Sequence, residues 1–505
     1  MRSKGKVSRG RSVSAASVDV HCHVFNSWDV PVRRFVELVY LEKYPGAILA
    51  KPLIDFIEFI MRSGAPTTGE EIDYLTRSRL SLKRLKRRGT REHNIRAVSR
   101  ALTLMWVTSP EDRQWVRRHL SPSLRRRLKS KRNIVMTPTD FRETARGLMI
   151  GGGDLATWIR FALIYTWWRW EITHELASLS KAQTADVFLY TPAILDIGTR
   201  LGEPDTSDIS EQVEVMRLIS MLKGRSYAVH AFVAFDPFRA IGDTNALTVV
   251  KDAVLNKGAI GAKIYPPMGI KPCDNSGPLG DALNQQMKQF IGFCLKEDVP
   301  ILAHCCFSQY VSLHPEDGAC AAPEAWRVFL RQPDHKNLRL DLGHCGGPWD
   351  FNENPMTKTI WTQTVIELLG DPNAYPNLYA DVSDDSFILH PGSADNRELM
   401  RKLSGFLQSN LKARARLLYG SDWSLLAREA DANDYYECMK THFCNCLNFT
   451  ADERRGFLGG NAMRFLGLAK NPNGSKPKNR IRLENFRSTN GLDMSIFSKI
   501  DALTP

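Results

Sequence analysis

Two histidines one residue apart, His21 and His23, sit in the apolar run VDVHCHVF at residues 18–25. Alternate residues of an extended strand share a face, so both imidazoles point one way while Cys22 points the other. At about 7 Å apart along the strand they can converge on one ion, and neutral imidazole suits zinc, iron or nickel. The triplet alone is a weak signal; here the strand also carries Asp19 and runs on into Val24, Phe25 and Asn26. Further metal-competent groups close other apolar runs: Lys263 in AKIYPP, His304 in ILAHC, His344 in DLGHCGG and Asp422 in LLYGSDWS. A lone buried histidine is more often a hydrogen-bonded core residue than a ligand. Six such groups recurring at the same place in successive runs set that explanation aside.

The types suggest a division of labour. A divalent cation lowers the pKa of water it binds towards neutrality, which makes hydroxide available at physiological pH. A carboxylate at Asp422 can ligate such a cation, take a proton from the water and return it to a leaving group. A lysine in an apolar strand must lose its charge, find a partner or be modified. Reaction of Lys263 with carbon dioxide would give a carbamate whose two oxygens bridge two metals; the plainer alternative is a cationic lysine gripping a substrate carboxylate.

Eight β-rich runs, bounded by Gly, Pro, Asn or Asp, position these groups: 18–25, 186–195, 227–237, 259–267, 299–305, 338–347, 377–385 and 416–424. Segments of helical periodicity, such as 210–224 and 280–298, lie between most of them. Apolar strands alternating with amphipathic helices imply a parallel sheet covered on both faces. Eight such strands make a closed (β/α)8 barrel, an α/β TIM-like fold with its active site at the C-terminal mouth. A doubly wound open sheet accounts less well for matching residues at so many strand ends.

These residues resemble the amidohydrolase superfamily of metal-dependent TIM-barrel enzymes. His21-Cys22-His23 is similar to its strand-one motif, His304 and His344 to its strand-five and strand-six histidines, and Asp422 to its strand-eight aspartate. The phrasing GHCGG, YGSDW and GFLGGNAMRFLGL (456–468) resembles the branch that holds ring-cleavage decarboxylases and lactone hydrolases. Lys263 resembles the carbamylated lysine of dihydroorotases. That resemblance implies one metal on His21, His23, Lys263 and Asp422 and a second on Lys263, His304 and His344. Without carbamylation it implies one zinc on His21, His23, His304 and Asp422, with His344 polarising the substrate or activating water. Dihydroorotases carry an arginine after the histidine pair, where this chain has Val24 and Phe25, which argues against that substrate. Tyr265, Arg239, Trp349 and Trp423 are candidate substrate contacts by position alone, and each aromatic ring is equally explained as packing.

The expected organisation is a basic leader at 1–17, a barrel over 18–25 and 186–468, a helical basic insertion at 26–185, and a linker with a C-terminal tail at 469–505. The insertion is far longer than an ordinary loop and sits where barrels carry specificity elements. Within residues 77–132 lie nineteen Lys and Arg against Glu92, Glu111 and Asp112, in a chain of net charge +13. A solvated helix face explains such a run as well as nucleic acid, a phosphorylated substrate or an acidic partner does. Few aromatic residues interleave it, so stacking on single strands is disfavoured. Gly151-Gly152-Gly153 reads as a hinge or helix start, since the lysine and spaced glycines of a phosphate loop are missing. Residues 469–488 read as a polar, mobile linker, and the mildly amphipathic segment after it as one that docks on the barrel or on a partner subunit.

No run of about 18 apolar residues is present, and the leader has no secretory core. The ten cysteines read as reduced thiols, with Cys438, Cys444 and Cys446 packed on a helix and not spaced for zinc. The expectation is a cytoplasmic, homo-oligomeric enzyme with a small-molecule substrate and no membrane partner. It would use one or two divalent ions, zinc first, to cleave an amide, cyclic amide or lactone with metal-activated hydroxide. Metal-assisted decarboxylation or hydration of an unsaturated acid is the alternative. A nucleic-acid-binding protein on a retired barrel is the third reading, weakened by the retained ligand set.

Overall fold

A computed structural model describes residues 16–43, 51–129, 136–151, 153–181, 186–201, 207–308, 312, 314–347, 357–384, 386–423, 425–429 and 431–504. Its strands, in chain order, are β1 (Ala16–Cys22), β2 (Asp186–Pro192), β3 in two segments (Ala228–Val229 and Phe232–Ala234), β4 (Gly261–Ile264), β5 (Ile301–His304), β6 (Leu340–Gly343), β7 (Leu378–Val382) and β8 (Leu417–Tyr419). Each pairs in parallel with the next. Pairing crosses the break in β3 through the Ala193–Phe232 bridge. The ring closes where Ser421 N and Asp422 N donate to His21 O at 3.0 and 2.8 Å and His23 N donates to Trp423 O at 3.3 Å. This closure excludes the open sheet and gives an α/β TIM barrel.

Alternation divides the strand residues between two apolar cores. Ile301, Ala303, Leu340, Leu342 and Ala380 pack outward with helices such as Ile209–Ser220 and Gly280–Glu297. Phe188, Phe232, Leu302, Tyr379 and Leu418 form a second cluster with Phe465 and the chain's end. Beyond residue 468 the chain departs from the polar linker expected there, because Lys478–Thr489 is a helix. Its polar residues are used internally: Asn479 donates to the carbonyls of Ile260 and Leu466, and Arg480 to Leu468 O. The following helix, Ile496–Leu503, buries Phe497, Ile500 and Leu503 in the same cluster. Of the expected leader, residues 1–15 lie outside the described residues, and Ala16 and Ser17 already belong to β1.

Between β1 and β2 the described residues form nine α-helices: α1 (Val32–Lys43), α2 (Lys51–Arg62), α3 (Thr68–Arg77), α4 (Arg91–Thr108), α5 (Pro110–His119), α6 (Pro122–Lys129), α7 (Pro138–Ile150), α8 (Asp154–Ile164) and α9 (Arg169–Lys181). Local chemistry sets their starts. Thr67 with Glu70 and Thr137 with Asp140 form capping boxes, and Thr90 and Ser109 cap α4 and α5. Gly153, at φ +90°, caps α8 in a conformation that favours glycine; Gly152 lies outside the described residues. Phe56, Val98, Leu102 and Phe161 help build a core separate from the barrel's, against which Tyr265, Leu425 and Ala427 of the barrel mouth pack. No single described helix is long and apolar enough to cross a membrane; α7 and α8 reach that test only as a pair bent by 107°.

The insertion is pinned to the end of β1. Arg169, 1% exposed, donates to Asp29 Oδ2 and to Glu71 Oε2, both at 2.7 Å. Ser27 Oγ donates to Met61 O and Asn26 Nδ2 to Pro66 O. Six residues past His23, the chain is thus fixed by a buried ion triad, in which removal of one partner would leave uncompensated charge.

Candidate metal centre

His21 and His23 face the lumen from β1, as their spacing requires, and both are buried. His21 Nδ1 lies 2.9 Å from Asp381 Oδ2 and 3.2 Å from Ser383 Oγ, which turns Nε2 towards the lumen. His23 Nδ1 lies 2.9 Å from Ala193 O. A carbonyl only accepts, so Nδ1 carries a hydrogen and Nε2 is the nitrogen turned to the lumen. Nε2 stands 3.0 Å from Asp422 Oδ1, off the line of a hydrogen bond. A ring nitrogen and a carboxylate oxygen facing each other in a buried site call for a cation or a proton between them.

The other strand ends complete the cluster. His344 Nε2 lies 3.1 Å from His304 Nδ1, and His344 Nδ1 is 3.0 Å from Ser383 Oγ. His304 Nε2 is buried with no hydrogen-bond partner. Ligand atoms of His21, His23 and Asp422 lie within 4.8 Å of one another, as do those of His21, His344 and Asp381. Imidazoles with carboxylates suit zinc and its first-row neighbours, and the unpartnered His304 nitrogen and the facing His23 and Asp422 atoms fit such an ion.

Burial sets the protonation states. It pushes the His21 pKa down to about 4 despite Asp381 beside it, and lowers that of His304 well below the usual histidine value. Both rings are therefore neutral near pH 7, as a ligand must be. Burial alone would raise Asp422 and Asp381, but the histidines against them hold both carboxylates below their ordinary range. Lys263, 2% exposed, sits with Nζ 3.1 Å from His21 Nε2, and burial brings its pKa down to about 8.

Backbone strain gathers here too. His344, Cys345, Asp384 and Asp422 adopt φ of +65°, +50°, +53° and +45° just past the ends of β6, β7 and β8. Non-glycine residues seldom occupy this region, and such strain concentrates at functional sites.

The proposed substrate contacts divide. The Tyr265 ring packs 4.3 Å from that of His304, beside a small pocket also lined by Leu195, Phe235, Lys263 and Met268. Arg239 donates to Asp196 and is committed to that pair. Trp423 is buried with an unpartnered Nε1. Trp349 lies outside the described residues.

Sequence reasoning missed Asp381, Ser383 and Asp341, and noticed Asp19 without giving it a task. Asp381 orients His21 through Oδ2 and accepts from His344 N at 3.2 Å through Oδ1. Asp19 accepts from Ser421 N at 3.0 Å and Ser421 Oγ at 2.6 Å, which fixes the turn presenting Asp422. Asp341 lies buried beside Asp381, and burial and that neighbour raise its pKa well above the carboxylate range. The available signal was the strand-end rule itself: Asp381 in NLYADVSDD occupies in β7 the place that His304 and His344 occupy in β5 and β6.

A closed parallel barrel with a buried histidine–aspartate cluster at its C-terminal mouth defines a metal-dependent, hydrolase-type barrel enzyme. The family model described as Amidohydrolase matches residues 18–468, and this chain belongs to that family. Similar solved structures include an amidohydrolase from Burkholderia multivorans with bound zinc, at 15% identity over 58% of this chain and 87% of that one, TM-score 0.38. Another is a 4-oxalomesaconate hydratase from Rhodopseudomonas palustris, at 14% identity over 63% and 84%, TM-score 0.38. A third is the IDCase of Metarhizium anisopliae, at 12% identity over 58% and 78%, TM-score 0.37. Comparison with curated protein sequences finds no match.

Proposed function

We propose that this chain hydrolyses an amide, cyclic amide or lactone, with His21, His23, His304 and Asp422 holding a zinc-type ion and Asp422 acting as the base. The observation that carries the reading is that His23 Nε2 and Asp422 Oδ1 face each other, buried and 3.0 Å apart, without a hydrogen bond between them. The ion, when bound, supplies Lewis-acid activation of water and of the scissile carbonyl. Asp422, kept ionised by its histidine neighbours, accepts the proton of the attacking water. As the C–N or C–O bond breaks, it returns that proton to the departing nitrogen or oxygen. His344, held between Ser383 and His304, would turn from His304 to polarise the substrate carbonyl or to activate the water once His304 takes up the ion. Asp381 fixes the His21 tautomer, and the Asp19–Ser421 pair fixes the strained turn at Asp422. Tyr265 lines the pocket beside the cluster and packs against the substrate.

In a second form of the site, a carbamate on Lys263 would join the histidines and Asp422 in holding two ions. It is favoured by the burial of that amine and its pKa of about 8, since the neutral amine is the form that reacts with carbon dioxide. Metal analysis of the purified protein, with turnover of a panel of amides, lactones and unsaturated acids, tests both forms. One or two equivalents of a transition metal and a hydrolytic activity lost in Asp422→Asn are expected. Two equivalents, falling to one in Lys263→Ala and restored with short carboxylic acids, identify the carbamate form. A metal-free protein whose activity is unchanged in Asp422→Asn would overturn the proposal, and so would decarboxylation or hydration of unsaturated acids as the only turnover.

A further inference from the structure

The mouth leaves the basic segment of the insertion unexplained. Between residues 77 and 127 there are sixteen Lys and Arg against three acids, an excess of thirteen that equals the whole chain's +13. The rest of the molecule is thus balanced, and all of its excess charge lies on one run of helices. Fourteen of the sixteen are arginine, whose planar fork matches phosphate in a two-toothed grip that lysine lacks. Arg84, Arg87, Arg91, Arg96, Arg118 and Arg125 are exposed, and none has a carboxylate at ion-pairing distance among the described residues.

These cations converge in space. Leu82 N donates to Lys223 O and Lys223 N to Leu80 O, which lays the loop before α4 along the barrel's flank. Arg88, Arg96 and Arg100 all lie near enough to His93 to depress its pKa, behind the larger effect of its burial. Arg87 and Arg225 act together on Tyr227. The nearest acids are occupied: Glu171 accepts from Arg88 N and Gly89 N, Glu71 holds Arg169, and Glu92 pairs with Arg142. A solvated face built for solubility alone would alternate signs; this one does not.

We propose that the shoulder formed by residues 79–100, continued by α5 and α6, binds the phosphate backbone of a nucleic-acid duplex. α4 has 18 residues, about 27 Å at 1.5 Å per residue, a length that faces on the order of 16 duplex phosphates. The duplex is favoured over a single strand because the segment's only aromatic residues, Trp106 and Trp115, are half-buried. Trp106 lies under the guanidiniums of Arg113 and Arg117, and Trp115 packs on Phe56, so no ring is presented for base stacking. A repeating charge along a rod also matches a run of cations spread over three helices better than a compact acidic protein does. The surface uses none of the residues of the proposed hydrolytic site, and the proposal does not depend on that reading.

The test is fluorescence anisotropy of the full chain with labelled double-stranded RNA and DNA of about 20 base pairs, titrated across salt. Binding at about 150 mM salt is expected, with a log–log salt slope that falls by roughly three in Arg87→Glu/Arg91→Glu/Arg96→Glu and an affinity loss of at least tenfold. Arg401→Glu, on helix Ala394–Ser409 where that arginine is paired with Glu398, should leave binding unchanged, and a difference between the RNA and DNA arms identifies the source. Circular dichroism of the triple variant separates lost binding from lost fold; should it unfold, Arg96→Glu alone, read as a slope change of roughly one, replaces it. The proposal is overturned by no duplex binding at 50 mM salt, by equal loss in Arg401→Glu, or by binding only to polyglutamate or to phosphatidylserine vesicles.

Discussion

The barrel mouth and the insertion's shoulder handle charge in opposite ways. At the mouth, His21, His23, Asp381 and Asp422 are each within 3.0 Å of a partner and shielded from water. On the shoulder, Arg87, Arg91 and Arg96 face solvent with no carboxylate at ion-pairing distance among the described residues. In a low-dielectric mouth an unpaired charge is costly, so the groups are matched and rigid. At the surface water screens the same charge, and an excess persists without harm to the fold. The mouth is therefore where single substitutions should change chemistry, and the shoulder where they should change association alone.

The largest effect that would sharpen this contrast is at Asp422. Asp422→Asn should lower turnover by about 10^2- to 10^4-fold, the range for loss of a general base, while the melting temperature moves little; a variant at wild-type rate would break the assignment. Next comes the hinge between the two regions. Arg169→Met leaves Asp29 and Glu71 buried without their cation and should cost roughly 3–5 kcal/mol, read as a fall in the denaturant midpoint. An unchanged midpoint would mean that the triad does not tie the insertion to the barrel.

Smaller is the outer support of the mouth. Ser421→Ala removes one of the two donors to Asp19 and should weaken metal retention by about 10- to 100-fold, as outer partners of metal ligands do; chelator titration measures it. Acid stability reads both regions at once. His230, buried in the barrel wall, and His93, half-buried under the shoulder, have pKa values down to about 3 and about 4 from an ordinary 6.5, chiefly through loss of solvent. The unfolded chain takes up these protons below about pH 6.5 and the folded one does not, so stability should fall as pH drops from 6.5 towards 4. Each histidine contributes roughly 1.4 kcal/mol per pH unit across its window, and His93→Gln should flatten that slope. The smallest effect belongs to the exposed shoulder: Arg96→Glu should shift stability by no more than about 0.5 kcal/mol and leave hydrolysis unchanged in the same assay.

Much of this site was legible in the sequence because strand-end positions announce themselves. His21, His23, Lys263, His304, His344 and Asp422 each close a short apolar run, and the period of two says which face they share. The α/β barrel followed from the count and spacing of those runs. Asp381 was equally well placed but went unread, since an aspartate in YADVSDD looks like turn chemistry until β7 is known to lie beside β6. The polar segment at 469–488 misled for the same reason: Asn479 and Arg480 are helix-interior donors only because Ile260 and Leu468 stand opposite them.

What the sequence alone determined is therefore the periodic information: strand order, the facing of His21 and His23, the helical insertion and its unbalanced charge. The tertiary structure decided which side chains meet across strands. It set Asp381 on His21, Asp19 on Ser421, His23 against Asp422, and Arg239 on Asp196 instead of in an open mouth. Periodicity is a property of neighbours along the chain, whereas a hydrogen bond across a barrel depends on register and closure, which are fixed only when all eight strands are in place.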